Sequence, residues 1–214
     1  VEHTPTDCDI VLIVDKSGSM SSTQSDVIGG FNTFIEKQKA EPGRAFVTLT
    51  LFDSEVTRRY TRLPIAEIVP LDRANYVPGG NTALFDAVGA TLVSLEKAAT
   101  SGKVVVVIMT DGAENASREY TLAALRAKIE QKQEDGWAFV FLGAGLDAFA
   151  QSAMLGVSSR TAGSYAPTPQ GTRAMYDMLG DNVSAMRASA APARTTAEAQ
   201  SWDVDERPPG RSAP

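Results

Sequence analysis

The residues with the clearest chemical capacity are Asp15, Ser17 and Ser19, which sit in the stretch DIVLIVDKSGSM from Asp9 to Met20. An apolar run, Ile10 to Val14, precedes them; it suits one buried strand and is far too short for a membrane span. One carboxylate and two neutral hydroxyls then follow on alternate residues. They leave the carboxyl end of that strand, which is where open α/β sheets bind their ligands. Oxygen donors of this kind suit a hard cation, and Mg2+ needs few of them because it retains several waters. A metal site is the first expectation. The competing one is an ordinary strand-to-helix turn in which Ser19 or Ser21 caps the helix.

Two later loops carry matching oxygens. Gly79-Gly80-Asn81-Thr82 precedes a helical stretch, and Met109-Thr110-Asp111-Gly112 follows a strand. An Asp-x-Ser-x-Ser after the first strand, a Thr on a second loop and an Asp on a third together resemble the metal-ion-dependent adhesion site of von Willebrand factor type A (vWA) domains, including the inserted domains of integrins. The resemblance implies that Asp15, Ser17, Ser19, Thr82 and Asp111 are metal ligands. The implied ion is Mg2+, with Mn2+ or Ca2+ as alternatives, and Asp111 can act through water. It further implies an open position on the ion that an acidic residue of a partner protein fills. The implied role is a protein-binding module for adhesion or scaffolding, not an enzyme; a structural domain with a vestigial metal site is an alternative. In integrin-type relatives the last helix shifts on partner binding, and here that helix is 168–188. The run from Phe141-Leu-Gly-Ala-Gly to Tyr165-Ala-Pro-Thr-Pro-Gln-Gly-Thr is similar to stand-alone bacterial and phage-type vWA proteins.

Other chemistries find little support. His3 is the only histidine and lies in a polar leader, which removes Ser-His-Asp and Cys-His catalysis. Cys8 is the only cysteine and reads as a small packed residue, with neither a disulfide framework nor a thiolate cage open to it. The glycine pair 79–80 lacks the Lys-Ser/Thr ending of a phosphate loop. Gly143-Ala144-Gly145-Leu146-Asp147-Ala148 satisfies G-x-G-x-x-A, but no strand ending in an acid follows about 20 residues later. A tight strand-to-helix turn is the better reading there. A metal-assisted phosphohydrolase would also use a strand-end carboxylate with Mg2+. Haloacid-dehalogenase-type phosphatases, however, carry D-x-D, and here Ser17 stands where the leaving-group acid is needed.

The elements that must position these residues follow from periodicity. Apolar spacings of three and four predict helices over 22–39, 82–101, 120–134, 148–155 and 168–188. Thr82 reads as the N-cap of the second of these. Buried strands are expected at 10–14, 45–52, 103–110 and 137–142, with a last strand at 158–161. Only Asp53, Ser54 and Glu55 separate 45–52 from the strand beginning at Val56, so those two form an antiparallel hairpin whose second strand lies at the sheet edge. Asp53 and Glu55 are then turn residues and not ligands. Glu114, Asn115 and Ser117 read as rim or solvated loop residues. The expected fold is a Rossmann-like, doubly wound, mostly parallel sheet with one antiparallel edge strand and helices on both faces.

The chain of 214 residues is expected to hold a leader at 1–6, one vWA domain at 7–188 and an Ala/Pro-rich flexible tail at 189–214, in which Trp202 either anchors a partner or packs back on the domain. A formal net charge of -6 argues against nucleic-acid and anionic-membrane surfaces. With no signal-peptide pattern and no long apolar segment, the cytoplasm is the default compartment.

Overall fold

Strand β1 (Cys8–Asp15) is buried along its whole length and sends alternate side chains into two separate cores. Ile10, Leu12 and Val14 pack with Phe31 and Phe34 of α1 (Gln24–Ala40) and with Met178, Leu179 and Val183 of α5 (Pro169–Ala188). Val11 and Ile13 pack with Val88 and Leu92 of α2 (Leu84–Lys97) and with Leu125 and Ile129 of α3 (Leu122–Glu134). Strand β4 (Lys103–Thr110) repeats the division, Val105, Val107 and Met109 on one side and Val104, Val106 and Ile108 on the other. Burial on both faces explains why these strands read as unbroken apolar runs. This computed structural model describes residues 7–204 apart from Ala99, Ser101 and Leu146; the expected leader and residues 205–214 lie outside the described residues.

The six-stranded sheet adds β2 (Ala45–Phe52), β3 (Val56–Pro64), β5 (Ala138–Ala144) and β6 (Ala162–Tyr165), in the order β3-β2-β1-β4-β5-β6. Only β3 runs antiparallel to its neighbour, as the short Asp53–Glu55 turn requires. The expected doubly wound, mostly parallel sheet with one antiparallel edge strand is what forms. Chain order reverses between β1 and β4, which opens a crevice at their carboxyl ends. Their register pairs Val14 with Met109, so Asp15 and Asp111 leave the sheet side by side.

From β5 onward, three expectations differ from the structure. Residues 159–161 form a short 3-10 helix, with Ser158 Oγ accepting from Arg160 N, and the last strand is β6 instead. Gly143 and Ala144 continue β5, paired with Ser164 and Tyr165, so the tight turn comes at Gly145 (φ 63°) before the short α4 (Ala148–Met154). Residues 193–204 are not loose: α6 (Ala193–Glu198) buries Ala193 and Ala197, and Trp202 is 1% exposed. Small residues four apart let this helix lie close on the sheet, and the indole of Trp202 donates to Ala197 O at 2.8 Å. Asn182 Nδ2 holds Ser201 O at 2.8 Å, and Val204 N reaches Ser164 O of β6 at 3.3 Å. No helix among the described residues is long and apolar enough to cross a membrane.

Candidate metal centre

The first loop begins where β1 ends. The Asp15 side chain is fully buried; its Oδ1 accepts from Ser17 N at 2.6 Å and its Oδ2 from the Thr110 hydroxyl at 2.5 Å. Its carbonyl accepts from the Tyr76 hydroxyl at 2.7 Å. A 3-10 helix, Gly18–Thr23, then carries the chain into α1, so the α-helix starts two residues later than periodicity suggested. No side chain caps either helix start. The Ser17 and Ser19 hydroxyls lie 3.1 Å from each other, and Ser21 donates to Gly18 O, so the capping explanation of these serines does not hold.

The second loop corrects the expectation for Thr82. The residue at the N-cap of α2 is Ala83, which makes no side-chain cap bond. The free N–H groups of that helix are met from another loop: Phe85 N donates to Glu114 Oε2 at 2.9 Å and Asp86 N to Ser117 Oγ at 3.0 Å. Capping by Glu114 and Ser117 releases the Thr82 hydroxyl for another role. Thr82 is held by its backbone, donating to Asn115 Oδ1 at 2.9 Å and accepting from Asn115 N at 3.0 Å. Its hydroxyl lies against Gly112, where a Cβ would come within 2.9 Å of Oγ1. Gly18 N donates to Gly80 O at 3.1 Å and Gly79 N to Lys16 O at 2.9 Å, which ties the first two loops together.

On the third loop, Asp111 Oδ1 accepts from Ser19 Oγ at 2.6 Å. Hydrogen bonds therefore link Asp15, Ser17, Ser19 and Asp111 in sequence, and Thr82 joins them beside Gly112. All five expected residues meet at the crevice between β1 and β4. Asp53 does not: it pairs with Lys16 and accepts Glu55 N at 2.8 Å, as a turn residue does. Sequence reasoning missed the positioning work of Glu114, Asn115 and Ser117, because nothing local signals that a loop will cap a helix some thirty residues upstream.

The donor set consists of two carboxylates and three hydroxyls, and no group of three His, Cys, Asp or Glu forms among the described residues. Such all-oxygen chemistry fits a hard divalent cation. Burial raises the Asp15 carboxyl above its ordinary value, against the pull of its hydrogen bonds from Thr110 and Ser17. A cation at the crevice would offset the cost of that buried charge.

Residues 9–166 match the family model of the von Willebrand factor type A domain. No match was found among the curated proteins. Among solved structures, the vWF domain of the type V pili tip protein Mfa5 from Porphyromonas gingivalis is 12% identical, with a TM-score of 0.65 over 88% of this chain and 99% of that one. Proximal thread matrix protein 1 from the mussel byssus, with a zinc-occupied MIDAS motif, is 13% identical at a TM-score of 0.62, over 83% of this chain and 46% of its own. The manganese-loaded TRAP protein of Plasmodium vivax is 17% identical at 0.57, over 78% and 71%. The chain spans less than half the length of the byssus protein it matches.

Proposed function

Since the chain belongs to the von Willebrand factor type A domain family, we propose that Asp15, Ser17, Ser19, Thr82 and Asp111 hold one divalent cation through which the protein binds an acidic residue of a partner protein. The observation that carries this reading is the meeting of three loops at one crevice, the Ser19 hydroxyl bonded to Asp111 at 2.6 Å across 92 residues of chain. Two carboxylates balance a divalent charge and the hydroxyls add none, so a bound ion stays attractive to a further carboxylate. Asp15, locked by Ser17 and Thr110, is the fixed anchor; Ser17, Ser19 and Thr82 orient neutral oxygens around it. Mg2+ is the expected ion, with Mn2+ and Ca2+ as alternatives. The zinc and manganese named for two structural neighbours support a divalent ion in this fold without choosing among them. Binding is favoured over turnover because Ser17, where a phosphohydrolase would need an acid, is hydrogen-bonded to Ser19.

The test is calorimetric titration of Mg2+ into chelator-stripped protein, wild type against Thr82→Ala, followed by a pool of glutamate-bearing peptides. The expected result is saturable Mg2+ binding that weakens roughly tenfold in the variant, a typical loss for a disturbed metal site, and peptide capture only in the presence of the ion. Wild-type protein that binds no divalent ion would overturn the reading.

A further inference from the structure

We propose that Lys16 decides how the site divides its attraction between the cation and the incoming carboxylate. This rests on the metal reading above. Lys16 stands between Asp15 and Ser17, so the first loop of the cation site carries a positive charge, which by itself opposes cation binding. Its backbone is fixed on both sides, N donating to Phe52 O at 2.7 Å and O accepting from Gly79 N at 2.9 Å. Its ammonium is paired with Asp53, and the two side chains are only 15% and 17% exposed. Neither charge is fully screened by solvent.

Asp53 is equally constrained. Its Oδ1 accepts from Glu55 N at 2.8 Å, and its carbonyl accepts from Ala83 N at 2.8 Å, one residue after Thr82. The pair therefore joins the first loop, the β2–β3 turn and the second loop, and places one opposed pair of charges on the flank of the five ligand residues. Without Lys16, the Asp53 charge would stand uncompensated on the flank of the site and add, from outside the ligand set, to the field of Asp15 and Asp111. Such a site holds the ion more tightly and leaves it less able to attract a further carboxylate. With Lys16 the ligand charge stays near that of the ion, and the partner's carboxylate can compete for the open position. Lys16 is thus a positioning and specificity residue that acts through Asp53 and through its own charge.

The two partners of this ion pair should move cation binding in opposite directions. Lys16→Met is expected to tighten Mg2+ binding and to weaken the binding of acetate, used as a carboxylate probe, to the Mg2+-saturated protein, each by roughly tenfold from the loss of one nearby charge. Asp53→Asn is expected to weaken Mg2+ binding and strengthen acetate binding on the saturated protein. The double variant should return both constants toward wild type, and Lys16→Arg should preserve them. If the pair serves only as a scaffold for the loops, both single variants weaken Mg2+ binding together, which would overturn the proposal, as would no change in either. Asp53→Asn decides the sign by itself if Lys16→Met does not fold. Wild-type protein that takes up no Mg2+ removes the metal reading itself, an outcome distinct from same-sign variants on a wild type that does.

Discussion

The Thr82 hydroxyl lies 2.9 Å from the point where a side chain at residue 112 would begin, and Gly112 is what permits that approach. The two residues come from different loops, so a single hydrogen atom in place of a methyl group lets the second and third loops close on each other. Gly112→Ala should push Thr82 out of the crevice. Weakened Mg2+ binding in calorimetry is expected, at a cost of about 1–3 kcal/mol in folding stability from local overpacking.

Two adjacent glycines of α1 should respond in opposite ways. A Cβ at Gly29 meets nothing within 4 Å, whereas one at Gly30 would overlap the ring of Tyr176 on α5. Gly29→Ala is expected to raise stability by roughly 0.5–1 kcal/mol through helix propensity alone. Gly30→Ala is expected to lower it by about 1–3 kcal/mol, because the ring must shift. Urea unfolding of the two variants checks both.

Trp202 should behave as a core residue. It is 1% exposed and packs with Ala193, Ala197 and the residues of α5, so Trp202→Ala is expected to cost about 3–5 kcal/mol in chemical denaturation. An unaltered midpoint would mean that the segment does not hold the fold.

Cys8 gives a dependence on pH. Burial raises its thiol from 9.0 to about 11, against the pull of nearby Arg187 and Lys103. A thiol whose value is raised on folding contributes stability that is complete below 9 and is lost as pH climbs toward 11, because the unfolded chain ionises first. The loss is on the order of 2 kcal/mol. Measured between pH 8.5 and 11, the stability difference between wild type and Cys8→Ala should shrink across that window. Maleimide should leave the native thiol unlabelled at pH 8.

The legible parts of the sequence were those governed by local rules. Ile10–Val14 and Val104–Ile108 announced strands covered on both faces, and the three-residue Asp53–Glu55 connection announced the antiparallel edge. Asp15, Ser17, Ser19 and Asp111 are legible as oxygens after strands and Thr82 only through the family resemblance, although bringing the five together depends on the reversal of chain order between β1 and β4. Thr82 was ambiguous because an N-cap and a ligand require the same residue type; only Glu114 and Ser117, arriving through space, show that capping is done elsewhere. The last strand was misplaced because Ala162-Gly163-Ser164-Tyr165 has little strand character of its own, and it is positioned by pairing with β5. Residues 193–204 read as part of a linker because their Ala- and Pro-rich composition resembles one, while their order comes from one indole and a few backbone contacts.

Both margins of the sheet are guarded, by different means. At one, β3 carries Arg58, Arg59 and Arg62 and ends in Pro64; at the other, the chain returns after Trp202 and Val204 N occupies Ser164 O of β6. Charged residues and covering segments are the means by which proteins discourage strand addition from a second molecule. The residues after α5 therefore do more than complete a core: they deny β6 to neighbouring copies. A chain cut at residue 188 would leave that strand open, and its failure would be seen first as self-association at high concentration.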